Sequence, residues 1–295
     1  RGKQREQVTK GESGEQGPQA TILTPTLAPS PKTTPMPSPP PSSTDTPELT
    51  MVLTPTPSPT MSNNSTLPDT GQCKAGASKD TLPEAGPYYH QIYRAFSSDG
   101  LTFTSENAPL IDHASVPDAT LSTNGEVWIY FVNGVPGQHG IWVAKSSESG
   151  TWEIIDCVRL NGKFNGNAVD PDVVLLSDGR YRLFYYEGHF VGPSSSNEGP
   201  HPIFSAISDD GLHFEVEREL IAVETVTDPT VVQLANGRWL MGLSQGGQTL
   251  LADSDDGYDF ELTGVVIELG GVPELAVLAD GSVRLYVSSD GIKSV

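Results

Sequence analysis

Positive charge is scarce in this chain. Seventeen Lys and Arg stand against 37 Asp and Glu, for a net charge of −20 and a pI near 4.5. Nucleic acid and anionic membrane surfaces both require a basic patch, so the balance argues against either as a partner. Cysteine is scarcer still. Cys73 and Cys157 are the only two, too few for a disulfide framework or a four-cysteine zinc site, although they could pair in an oxidising compartment. No run approaches the roughly 18 apolar residues of a membrane span. The first residue is Arg1 rather than Met, which leaves room for a start and a signal peptide upstream.

Proline is plentiful but unevenly spread. Residues 1–85 carry Pro/Thr/Ser tracts such as Thr24-Pro25-Thr26 and Pro37-Ser38-Pro39-Pro40-Pro41. Such a composition cannot bury enough apolar surface to fold, and it predicts a disordered, extended linker or stalk. Residues 86–295 are rich in aromatic and β-branched residues and in turn glycines, enough for one sizeable core. A stalk ahead of a folded domain points to a secreted or surface-tethered protein.

Within 86–295 a motif recurs four times. Pro117, Pro171, Pro229 and Pro273 are each followed eight residues later by the glycine of an Asn-Gly or Asp-Gly turn: Gly125, Gly179, Gly237 and Gly281. An apolar or aromatic strand follows every turn, as in Val127–Phe131 and Tyr181–Tyr185. A second motif, Ser98-Asp99-Gly100-Leu101-Thr102-Phe103, reappears as Ser208-Asp209-Asp210-Gly211-Leu212-His213-Phe214 and Ser254-Asp255-Asp256-Gly257-Tyr258-Asp259-Phe260. A weaker copy spans Ser147–Trp152. Asp-Gly between alternating apolar runs is a strong hairpin signal.

Each unit therefore reads as four antiparallel strands in about 50 residues without helical periodicity, the pattern of a β-propeller blade. A β-sandwich is the alternative, but it does not predict one motif at the same point of every unit. The domain opens on two outer strands (Gln91–Phe96, then Leu101–Ile111) and stops inside the fourth repeat. The expectation is thus an all-β propeller of five blades with the end of the fifth lying beyond Val295, since an open remnant exposes an unpaired edge. Strand direction places the glycine turns on a lower face. The proline ends and the irregular loops 133–140, 187–202 and 245–248 fall on an upper, functional one.

The chemistry is expected at the proline ends. Asp118, Asp172 and Glu274 follow the proline of their repeats, whereas Asp170 and Asp228 precede it. Glycoside hydrolysis needs an acid to protonate the leaving oxygen and a second carboxylate as base or nucleophile. A third carboxylate nearby raises the pKa of the acid by repulsion. The motifs Val169-Asp170-Pro171-Asp172-Val173, Thr227-Asp228-Pro229-Thr230-Val231 and Val272-Pro273-Glu274-Leu275 resemble those of five-bladed glycoside hydrolases, the family 43 arabinanases and β-xylosidases and the invertase–levansucrase group. The resemblance implies a carbohydrate substrate, with Asp118 as base or nucleophile, Asp228 as the tuning carboxylate and Glu274 as the general acid.

Asp170, Asp172, His113, Tyr186, His189 and Phe190 are the candidate substrate-binding residues, Tyr186 and Phe190 as platforms for a sugar ring. Each has a plainer reading: an Asp beside proline caps its own turn, and a loop histidine is merely solvated. The Ser-Asp-Gly repeats read as structural pins. Arg180, Arg182, Arg238 and Arg284 read as exposed strand residues, and no sialidase arginine triad is recognisable. No cofactor is expected, an acidic axial channel leaves a cation open, and the protein is taken as a monomer. The competing reading is a non-catalytic surface propeller that binds carbohydrate or protein.

Overall fold

Four glycine turns set the repeat. At Gly125, Gly179, Gly237 and Gly281 φ lies between 81° and 88°, a region that favours glycine. Each of these amides donates to the carbonyl three residues earlier, as Gly237 does to Leu234 at 2.9 Å. The turns join an inner strand to the second strand of its blade. In the computed structural model, which describes residues 73, 89–135, 137–146, 150–188, 199–289 and 292–294, the protein is an all-β propeller. The expected linker, Cys73 apart, and the substrate-binding candidates His189 and Phe190 lie outside the described residues.

The first blade comprises Ala114–Leu121, Val127–Asn133, Ile141–Ser146 and Trp152–Cys157, antiparallel and in sequence order. The second comprises Ala168–Leu175, Tyr181–Glu187, Pro200–Ser208 and His213–Glu224. It is extended by Arg159–Leu160, which runs parallel to His213–Glu224, and by Lys163–Phe164. That stitch across the blade junction has no signal in the sequence. The third blade is Thr227–Gln233, Trp239–Gln245, Gln248–Ser254 and Glu261–Ile267. The fourth shows Gly271–Val277, Val283–Ser288 and Ile292–Ser294. Gln91–Ile92 pairs with Ile111–Asp112, and Ala95–Phe96 with Thr104–Ser105, forming one outer hairpin ahead of the first blade.

The core fills the spaces between blades. Phe184, Met241, Leu243 and Trp239 pack between the second and third blades, and Tyr130, Val143, Tyr181 and Phe214 between the first and second. Trp128 stacks on Tyr181 at 5.9 Å, so the tryptophans of the second strands are packing residues. The Ser-Asp-Gly motifs pin the outer hairpins: the Asp210 carboxylate accepts from the amides of Leu212 and His213 at 2.8 Å, and Ser208 Oγ accepts from Gly211 at 2.9 Å. Asp256 and Asp99 repeat the arrangement, the latter with Ser97 rather than Ser98. Amide donors stabilise the ionised form and hold Asp99 and Asp256 down at about 2.

These turns also seat one blade on the next. Tyr130 Oη of the first blade donates to Gly211 O at 2.8 Å. A Cβ on Gly211 would lie 2.7 Å from that hydroxyl, at φ +75°. Gly211→Ala is therefore expected to cost about 1–3 kcal/mol for the left-handed backbone, plus the displacement of Tyr130. Gly237→Ala, at φ +87° with nothing within 4 Å, carries only the backbone cost. Thermal melts of the two variants should separate them, and equal losses would show that the Tyr130 contact does not matter.

One expectation changes at the level of the fold, and one left open is settled. Arg182 is not an exposed strand residue; it is buried, paired with Glu217 at 2.8 Å, and its guanidinium lies 3.9 Å from the Tyr258 ring centroid. Strand alternation carries it inward, where it ties the second blade to the third. Cys73 and Cys157 are disulfide-bonded across 84 residues, which fastens residue 73 to the outer strand of the first blade. Chain entropy puts the contribution of such a loop at up to roughly 4.5 kcal/mol. Cys73→Ser should lower the Tm by about 10 °C, and a reductant should do the same to the wild type but not to the variant.

Candidate functional site

Each inner strand carries a bulge at its proline. The strand register slips between Ser115 and Asp118, Val169 and Asp172, Thr227 and Thr230, and Gly271 and Glu274. The residue just before the proline takes a left-handed φ in all four: Val116 (46°), Asp170 (54°), Asp228 (47°) and Val272 (47°). Two of the four are valines, for which this conformation is costly. The strain is therefore a property of the scaffold rather than of any one acid. A bulge re-aims the side chains beside it, and in this propeller it divides the candidates into two groups.

The residues after the prolines form the first group. Asp118 Oδ2 accepts from the amide of Val173 at 2.7 Å, Asp172 Oδ2 from Val231 at 3.1 Å, and Thr230 Oγ1 from Leu275 at 3.0 Å. Each side chain reaches the amide two residues past the proline of the next blade. Asp118, Asp172 and Glu274 also converge: one carboxylate oxygen from each lies within 4.8 Å of the others. They sit at the edge of a cavity of about 610 Å³ lined by the inner strands of all four blades, down to Leu121, Ser177, Gln233 and Val277. None of its lining residues comes from the loops at 133–140 or 245–248. Along the described residues the cavity is axial and runs toward the glycine turns.

Burial raises all three carboxyls. Asp118 is pushed up to about 7 by burial. Asp172 is held well above the usual range by burial and then by the charges of Asp118 and Glu274. Glu274, exposed by surface area yet closely surrounded at its carboxyl, rises to about 8 through desolvation and then the charge of Asp118. Such a cluster holds protons near neutral pH, as an acid–base site requires. The same three oxygens are spaced to suit a hard cation.

Asp170 and Asp228 form the second group, so the structure sets Asp228 with Asp170 rather than beside Glu274. Asp170 Oδ2 accepts from the Asp228 amide at 3.3 Å, and Asp228 Oδ2 accepts from Thr227 Oγ1 at 2.6 Å. Both carboxyls are raised, Asp170 by burial and the charge of Asp228, Asp228 by burial. Neither lines the axial cavity. Asp172 stands next to Asp118 and Glu274 in the position expected of Asp228.

The other described candidates are placed apart from the cavity. Tyr186 is only 4% exposed and stacks on His201 at 4.9 Å, so its ring is not open to a sugar. His201 Nδ1 lies 2.7 Å from Val226 O. His113 precedes the first inner strand and lies beside Tyr89, ring centroids 5.7 Å apart.

Neither a protein-family model nor a curated protein matches the chain. Solved structures do. A thermostable family-43 glycoside hydrolase superposes with a TM-score of 0.54 at 13% identity, over 70% of this chain and 82% of that one. A protein of unknown function from Dyadobacter fermentans gives a TM-score of 0.51 at 18% identity, over 73% and 70%. The chain is similar to both in fold, and the fold is the one the sequence motifs suggested. Among the described residues no helix is long and apolar enough to cross a membrane.

Proposed function

We propose that this protein is a glycoside hydrolase acting on extracellular oligo- or polysaccharide through the carboxylates of its axial cavity. The observation that carries the reading is the convergence of Asp118, Asp172 and Glu274, from three blades, within 4.8 Å at a cavity of about 610 Å³. A cavity of that size suits a small ligand, and similarity to a family-43 hydrolase fold supports the reading.

The roles follow the sequence motifs, and burial raises both carboxyls toward neutral pH. Glu274, raised to about 8, is protonated at neutral pH and donates to the glycosidic oxygen as that bond breaks. Asp118, across the cavity edge from it, acts as the ionised partner and attacks the anomeric carbon. The separation sits at the short end of carboxylate pairs and favours the retaining route, in which a glycosyl ester on Asp118 is hydrolysed by water that Glu274 deprotonates. Burial and the charge of Asp118 keep the proton on Glu274, and Asp172 stands beside the pair, where the sequence motifs suggested Asp228. The disulfide supports an oxidising, extracellular setting.

Asp118→Asn tests this assignment. It is expected to abolish release of reducing ends from plant and microbial glycans without loss of fold; unchanged turnover sinks the nucleophile role of Asp118. One observation favours the alternative of a binding propeller. Asp118 and Asp172 each cap an amide of the next blade, a structural task that needs no catalysis.

A further inference from the structure

The seam between the second and third blades is built differently from its neighbours. Tyr130, Phe184 and Tyr286 hold one place in the repeat, each paired with the residue after its proline. Tyr130 donates to Gly211 O at 2.8 Å and Tyr286 to Gly100 O at 2.9 Å, so each hydroxyl serves the turn glycine of the hairpin beside it. Phe184 has no hydroxyl to give Gly257. Two residues earlier in these strands stand Trp128, Arg182 and Arg284. Trp128 fills its seam with a ring stacked on Tyr181 at 5.9 Å. Arg284 donates from Nη1 to Asp99 O at 3.0 Å.

Arg182 does neither. Its Nε is held by Glu217 at 2.8 Å and its Nη2 reaches Ser205 Oγ at 3.4 Å, but Nη1 has no hydrogen-bond partner among the described residues. Trp239 Nε1 has none there either, although the residue is only 5% exposed. A Cβ on Gly257 would lie 2.7 Å from Trp239 Nε1 and 2.9 Å from Arg182 Nη1, so the two donors lie against the same glycine. Both side chains line a cavity of about 250 Å³ that also takes in Asp178, Arg180, Asp256 and Tyr258. Packing alone does not call for this arrangement. A buried ion pair is often matched in stability by an apolar group of similar volume, and the seam between the first and second blades has such a group in Trp128. Glu217 is also fixed from both sides, Oε2 by Arg182 and Oε1 by the Tyr258 hydroxyl at 2.9 Å, which holds the guanidinium in one orientation. A buried donor without an acceptor is unfavourable, and a ligand oxygen removes that penalty.

We infer that this cavity between the second and third blades is a second binding site, and that it takes a single neutral sugar ring. Its lining sets the two positive groups of Arg180 and Arg182 against the three negative ones of Asp178, Glu217 and Asp256, in a protein of net charge −20, which disfavours a carboxylate or a phosphate. A sugar hydroxyl both accepts and donates. It can accept from Arg182 Nη1 and Trp239 Nε1, while Asp178 and Asp256 line the same cavity as acceptors. Trp239 and Tyr258 supply apolar ring surface for the C–H groups of the sugar. A cavity of about 250 Å³ is smaller than those that hold drug-sized ligands, and it suits one ring rather than a chain. None of Asp118, Asp172 and Glu274 lines it, so the inference stands whether or not the axial carboxylates are catalytic.

Two-dimensional ¹⁵N–¹H NMR of the whole protein, titrated in turn with D-xylose, L-arabinose, D-glucose and D-galactose, tests it through the indole N–H of Trp239, identified by its loss in Trp239→Phe. At least one sugar is expected to shift that peak saturably while the peaks of Trp128, Trp142 and Trp152 stay in place. Arg182→Lys keeps a cation for Glu217 but loses the free Nη1, and it should weaken binding about tenfold. A variant with Asp118, Asp172 and Glu274 all changed to their amides should bind as the wild type does. That arm separates the two sites, because Ser177 and Gln233 line both cavities. A shift that is lost in the triple variant and kept in Arg182→Lys puts the sugar in the axial cavity and overturns the inference. So does unchanged affinity in Arg182→Lys, a Trp239 peak that no sugar moves, or one that acetate or phosphate moves in place of a sugar.

Discussion

Glu274→Gln is expected to slow hydrolysis of a natural glycoside by about 10²–10⁴-fold, the range that a positioned general acid supplies. The loss should depend on the leaving group. A sugar alkoxide cannot depart unprotonated, but an activated aryl leaving group can, so an aryl glycoside with an acidic phenol should lose far less. A merely structural role for Glu274 does not discriminate between the substrates, and equal losses on both would refute the assignment. Asp118→Asn should abolish turnover of either substrate, because both need the nucleophile. The asymmetry is chemical: protonation matters most for a poor leaving group, whereas both substrates need attack on the anomeric carbon.

The second large effect is on stability. A carboxyl whose folded pKa lies above its unfolded value binds more protons in the folded state, so stability falls as pH rises between the two. Asp118 and Glu274 define that window, from about pH 4 to pH 7–8, with Asp172 and Asp170 shifted in the same direction. The pinning carboxylates Asp99 and Asp256, held at about 2, act oppositely and contribute only above that value. The melting temperature, measured with a chelator present so that no cation offsets the repulsion, should peak near pH 4–5 and decline toward pH 8. Glu274→Gln removes one titrating group, so it should flatten the decline and stabilise the protein at pH 8 relative to wild type. A Tm that climbs from pH 5 to pH 8 contradicts the buried, protonated cluster.

Much of this architecture was legible in the chain. The proline-to-glycine spacing and the Ser-Asp-Gly motifs mark the blades because each encodes a backbone geometry, a left-handed turn or a pinned hairpin, that few other sequences supply. The bulge was not legible. Val116 and Val272 adopt a conformation that their own propensity disfavours, so nothing local announces it. Without the bulge, Asp118, Asp170, Asp172, Asp228 and Glu274 look like one rim of acids; with it, they fall into two sets.

A signal for that division does lie in the repeat itself. Asp118, Asp172, Thr230 and Glu274 share the position after the proline, while Asp228 shares the position before it with Asp170. Reading by column would have placed Asp172, not Asp228, beside Glu274. The burial of Tyr186 and Arg182 depends on partners distant in the chain, His201 in one case and Tyr258 with Glu217 in the other, and only tertiary structure brings these together. The Cys73–Cys157 bond needed the fold as well, since two cysteines 84 residues apart carry no spacing motif.

The central claim is that the axial carboxylates break glycosidic bonds. Its most direct test compares the wild type with a variant in which Asp118, Asp172 and Glu274 are all replaced by their amides, assaying reducing-end release and glycan binding side by side on a panel of plant and microbial polysaccharides. The account predicts release by the wild type and none by the variant, with the variant still folded and still retaining the glycan that the wild type cleaves. A wild type that releases nothing, together with undiminished binding by the variant, would contradict it and leave a propeller that binds sugar without cutting it.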